Sequence, residues 1–124
     1  MTEADRRSRV VAIMALALAA YPLWWLAMFY LFVLRARWHL GYWPAPYHPD
    51  PKELGFTLHY SLVLLSSMAL LPVAAGAALL LAVGKVRGAL VRAWPPALLL
   101  LCSTTLLVLL VRVDPGRFLN WFGD

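Results

Sequence analysis

Charge is the first thing this chain has little of. Asp, Glu, Lys and Arg make up 14% of the 124 residues, and none of them falls within 10–34, 60–83 or 96–111. A soluble domain spreads charge along all its elements, so three uncharged runs in a chain that is 63% hydrophobic exclude that class. Cysteine is nearly absent too. The single Cys102 lies inside the third run, which excludes an internal disulfide or a zinc-type cysteine cluster and leaves a small, buried packing residue as the expectation. Gly41, Gly55 and Gly84 stand alone, so no glycine-rich phosphate loop is present. The lack of ionisable groups inside the runs also disfavours an ion-coupled transporter, which exchanges its ion on such a group within the membrane.

The three runs are long enough to cross a hydrocarbon core of about 30 Å. They predict an all-α integral membrane protein, a single membrane domain over 1–124, with transmembrane helices at 10–34, 59–83 and 96–112. Around them lie a polar N-terminus (1–9), an aromatic, Pro-rich loop forming a cap (35–58), a basic loop (84–95) and a tail (113–124) expected to form a short interfacial helix. Arg6, Arg7 and Arg9 precede the first run like the front of a signal peptide, and Ala17-Leu18-Ala19 has the form of a cleavage site. A cut there would leave only about 15 apolar residues, too few to span. The segment therefore reads as an uncleaved signal anchor.

Pro22 and Pro72 sit at matching depths in the first two spans, where each removes a backbone donor and predicts a kink. Ala12, Ala15 and Ala19 precede Pro22, while Ala74, Ala78 and Ala82 follow Pro72. In antiparallel helices these halves share a leaflet, and their small side chains predict close contact there. The third span is short for a lipid-exposed helix. Ser66, Ser67, Ser103, Thr104 and Thr105 supply hydroxyls that bond to their own helix carbonyls or across to a neighbour.

Three spans put the loop 35–58 and the tail on one side. Trp38, Tyr42, Trp43, Tyr47, Phe56, Phe118, Trp121 and Phe122 all fall there, against Trp94 on the other. This one-sided aromatic belt, stiffened by Pro44, Pro46, Pro49 and Pro51, predicts an ordered cap. Asp50, Lys52 and Glu53 are expected to pair with Arg112, Asp114 or Arg117 and hold the tail against the loop. With the N-terminus cytoplasmic, the inner side carries Arg6, Arg7, Arg9, Lys85, Arg87 and Arg92, and the outer side Arg35, Arg37, Lys52, Arg112 and Arg117. That bias favours N-in and C-out, in a bacterial cytoplasmic (inner) membrane. The net charge of +5 comes from residues at the ends of apolar runs, where they anchor helices at headgroups and do not form a nucleic-acid surface.

Candidate chemistry is sparse. His39, His48 and His59 lie near Asp50 and Glu53, but their spacing matches no metal motif, and haem between His39 and His59 would need both imidazoles turned inward at one depth. Ser61 beside His59 lacks a nearby orienting acid. No cofactor is expected. The candidate surface for docking a partner or lipid headgroups comprises His39, His48, Asp50, Lys52, Glu53, His59, Asp114, Arg117 and Trp121. The function expected is that of a small non-catalytic accessory or structural subunit, whose partners are the bilayer and other membrane subunits or further copies. A second reading is a small-molecule or lipid-handling protein using the histidine- and acid-bearing cap; a third is a holin-like pore former.

Overall fold

The computed structural model describes residues 1–83, 88–89, 91–92 and 94–123, and among these it is all-helical, with no strand. Most of the connector expected as a basic loop at 84–95 lies outside the described residues. Three helical stretches are long and apolar enough to cross a membrane: Glu3–Leu40, Thr57–Ala82 and Trp94–Val113.

The first helix, α1 (Glu3–Leu40), is 38 residues long, about 57 Å at helical rise, and overruns the expected span of 10–34 at both ends. Charge takes the chain out of lipid but does not break a helix, so Arg35 to His39 continue α1 and do not belong to the loop. Thr2 starts it with a capping box: its hydroxyl accepts from the Asp5 amide, and the Asp5 carboxylate accepts from the Thr2 amide, both at 3.3 Å. Gly41 ends it at φ 77°, a left-handed cap that suits glycine, and donates its N–H to the Arg37 carbonyl at 2.8 Å. Pro22 lies inside α1 with its ring buried.

The second apolar stretch is interrupted. It consists of α2 (Thr57–Met68) and α3 (Leu70–Ala82), separated at Ala69. Pro72 is the cause, because its ring clashes with the carbonyl four residues earlier and supplies no donor to it. The Tyr21 hydroxyl of α1 donates to the Ser66 carbonyl at 2.6 Å, in the last turn of α2, where carbonyls lose intrahelical partners. Trp25 Nε1 donates to the Val63 carbonyl at 3.2 Å, one turn earlier. The break is thus bonded by α1.

The third stretch, α4 (Trp94–Val113), begins with Pro95 and Pro96 in its first turn, where a missing donor costs nothing. It runs parallel to α1 and is the helix against which α1 packs most extensively, followed by α3 and α2. Toward the start of α1, Ala15 and Ala19 are wholly buried against Ala77, Leu80 and Leu100. The expected small-residue contact therefore forms, but not with the predicted partners. Ala78 and Ala82 are exposed, and Gly76 and Ala77 take the inner face of α3 instead. Ala74, Ala78 and Ala82 all lie within α3, so their four-residue spacing is kept; what it leaves open is the rotation of α3 about its own axis, and that rotation turns Gly76 and Ala77 inward.

Candidate functional site: the aromatic cap

Beyond Gly41 the chain folds into a set of turns. The Ala45 and His48 amides and carbonyls bond to each other at 3.2 and 3.0 Å around Pro46 and Tyr47, with Tyr47 at φ 68°. Proline at the first corner and a positive φ at the second make this a type II-like turn. Asp50 then caps the 3-10 turn Pro51–Leu54, its carboxylate accepting from the Lys52 amide at 2.9 Å. Pro51 and Leu54 are buried beneath this turn.

The tail closes the same end. Asp114 bonds through both carboxylate oxygens, to the Leu119 amide at 2.8 Å and the Asn120 amide at 3.0 Å, and so begins the short helix α5 (Phe118–Gly123). Gly116 makes the turn possible. It sits at φ 76°, and a Cβ there would come within 2.6 Å of the Phe118 ring.

A short interfacial helix was expected here, with Phe118, Trp121 and Phe122 on its apolar face. The short helix forms, and its Trp121 and Phe122 side chains insert into the end of the bundle. Trp121 is completely buried, and its indole N–H donates to the Pro49 carbonyl at 2.7 Å. Phe122 meets Phe29, Phe32 and Tyr60 with ring centroids 5.7, 5.4 and 4.8 Å away. Burying the rings among Phe29, Phe32 and Val63 removes more apolar surface from water than an interfacial position, and the indole keeps a hydrogen-bond partner. Only Phe118 remains near the rim, 5.7 Å from Trp43.

The loop and tail therefore meet, as the shared side predicts, but not through charge. Among the described residues no ion pair joins Asp50, Lys52 or Glu53 to Arg112 or Arg117; the pair found is Glu3–Arg7, at the opposite end of α1. Asp50 and Asp114 are used as caps for their own turns. The basic residues at the end of α1 rest on rings: the Arg35 guanidinium carbon lies 4.0 Å from the Phe56 centroid and that of Arg37 4.4 Å from Trp43.

The nine residues assigned to a docking surface separate into two groups. His59 and Trp121 are buried and leave the surface altogether. His59 Nε2 lies 3.0 Å from the Met28 carbonyl of α1, edge-on to Phe32, because the start of α2 rotates the imidazole into the bundle. His39, His48, Lys52, Glu53 and Arg117 are exposed, with Asp50 and Asp114 partly so. His39 leans on Phe56 with centroids 5.5 Å apart. The three histidines thus have separate environments, and among the described residues no three His, Cys, Asp or Glu side chains come together as metal ligands.

A small cavity of about 200 Å³ lies between Tyr47, Pro49, Asp50, Pro51 and Trp121. It is smaller than the roughly 300 Å³ from which ligand pockets usually start. The hydroxyls within the helices bond locally: Ser103 and Thr104 donate to the Leu100 carbonyl at 3.1 and 2.8 Å, and Ser67 to the Leu64 carbonyl at 2.6 Å. Of the two bonding modes open to them, these three take the one within their own helix; Cys102, expected to be buried, is exposed, because α4 turns Ser103 inward in its place.

Phe122 falls in the cap as its place in the tail implies, but its burial, and the parts taken by Leu54 and the Pro49 carbonyl, are not marked in the sequence. The Asp114 spacing, five and six residues before the amides it bonds, was the available signal for a capped tail helix. Comparisons with protein-family models, curated proteins and solved structures found no match to this chain.

Proposed function

We propose that the chain is inserted in a bilayer through α1, the α2–α3 pair and α4, and that it is a small non-catalytic component of a larger membrane assembly. The observation that carries this reading is the imbalance between interior and exterior. In the apolar windows of α2–α3 and α4 only 11% of residues are buried, against 28% for α1. The first helix buries the most, yet all three stretches leave apolar faces exposed, among them Leu31 of α1 and Leu62, Leu65, Leu71, Leu101 and Leu109 of the others. Faces of this kind are covered by lipid or by other transmembrane helices. The interior polar groups support contact over turnover, since Tyr21, Trp25, His59 and Trp121 all engage backbone carbonyls.

The membrane we assign is the bacterial cytoplasmic membrane, with the N-terminus inside and the cap outside, from the six-to-five distribution of basic residues. Extraction in mild detergent is expected to recover the protein in stoichiometric complex with a larger membrane subunit. A lone monomer would overturn the accessory role, and a ladder of self-crosslinked species would favour a pore former. Orientation is checked with Cys102→Ala as background and cysteine introduced by Ala45→Cys or Ala89→Cys. Labelling of the position 89 variant only from outside intact cells inverts the topology.

A further inference from the structure

We infer that the end of the molecule opposite the cap carries a binding site for the headgroup of an anionic phospholipid. An open cleft of about 1190 Å³ lies between the first turns of α1 and the described residues Gly88, Ala89 and Arg92. Arg6, Arg7 and Arg92 supply its charge; Val10, Val11 and Ala89 supply apolar wall. The two nearby acids are already engaged: Glu3 pairs with Arg7 at 3.0 Å, and the Asp5 carboxylate takes the Thr2 hydroxyl at 2.7 Å. Arg6 and Arg92 are exposed; among the described residues the ion pair in the cleft is Glu3–Arg7, and the Asp5 carboxyl lies within electrostatic reach of Arg92.

Charge complementarity selects the occupant. A guanidinium fork matches a phosphodiester, and basic recesses beside transmembrane helices bind anionic headgroups. The apolar wall continues from Val10 to the exposed side chains of Ile13 and Met14 along α1, a track for an acyl chain that a free phosphate would not use. At the cap, by contrast, Arg35 and Arg37 each rest one guanidinium on an aromatic ring, and no comparable cleft opens beside them among the described residues.

This inference rests on the membrane reading, and its test separates the two. Full-length protein is placed in phosphatidylcholine bilayers containing a minor fraction of phosphatidylglycerol, checked by carbonate extraction, and the lipid retained is measured by native mass spectrometry. Wild type is expected to retain phosphatidylglycerol preferentially. Arg6→Gln and Arg92→Gln should each weaken retention about five-fold, the effect of one basic residue at an anionic surface. Arg112→Gln and Arg117→Gln, at the far end, should leave it unchanged. Release of the protein by carbonate overturns the membrane reading and this site together. Stable insertion without phosphatidylglycerol preference, or equal loss in the Arg112 and Arg117 variants, overturns the site alone. Displacement of the lipid by inorganic phosphate makes it a free-anion site and overturns the lipid assignment.

Discussion

The two ends of the bundle are built on opposite principles. At the cap, large rings interlock: Phe29, Phe32, Trp121 and Phe122 are buried together, and a hydrogen bond ties the tail to the loop. At the other end the helices approach through Ala15, Ala19 and Ala77, with Leu80 and Leu100 filling between them. Basic side chains differ as well: Arg35 and Arg37 at the cap rest on rings, whereas Arg6, Arg7 and Arg92 line an open cleft at the other end. Rings bury much area at a few points and need exact partners, whereas alanines need only distance. The cap should therefore fail by losing a side chain, and the other end by gaining one.

Trp121→Ala is the strongest way to break that comparison. It removes a fully buried indole and orphans the Pro49 carbonyl, so a loss of about 4 kcal/mol is expected in detergent-denaturation curves, with the tail becoming open to protease. Trp121→Phe keeps most of the ring and should lose about 1 kcal/mol, the hydrogen bond alone. At the opposite end Ala19→Leu should cost about 2 kcal/mol by overpacking against α3 and α4, read from the same curves. An effect of Ala19→Leu near zero would mean that the contact is loose and the contrast between the ends is overstated.

Smaller effects sharpen the picture. Asp114→Ala removes the carboxylate that bonds two amides of the tail and should cost about 1 kcal/mol, seen as faster amide exchange at Leu119 and Asn120. The smallest concerns Asp5, in the polar turn ahead of the apolar run. Hydrogen bonds from the Thr2 hydroxyl and amide hold its carboxyl below its ordinary value, with Arg92 and Arg9 adding to this. A lowered value makes the ionised form the one the fold favours. The capping contribution is therefore present above the unfolded carboxylate value and is lost as pH falls through the folded one. Exchange of the first amides of α1 should rise over that acid range, and Thr2→Ala should abolish the dependence.

Much of the layout was legible in the sequence because it follows from one local quantity, charge against hydrocarbon. The uncharged runs located all three apolar helices, and Pro95, Pro96 and Pro72 marked a start and a break by removing backbone donors. Helix ends were less legible. Arg35 and Arg37 signal the edge of the hydrocarbon, yet only Gly41 stops the helix. The cap was legible as a region but not as a surface. Asp50 and Asp114 read as partners for basic residues across the cap, and each instead caps the turn that follows it, where the amides are already close.

By itself the sequence determined the helical class, the three apolar stretches, the meeting of loop and tail at one end, and the turns at Asp50 and Asp114. These depend on composition and on neighbours within a few residues. Tertiary structure decided which aromatic rings are inside, that His59 and Trp121 leave the surface, and that α3 presents Gly76 and Ala77 to α1. Those outcomes depend on the rotation of each helix about its axis. In a chain apolar on nearly every side, composition leaves that rotation open, and it is set by where large rings and small alanines find complementary shapes.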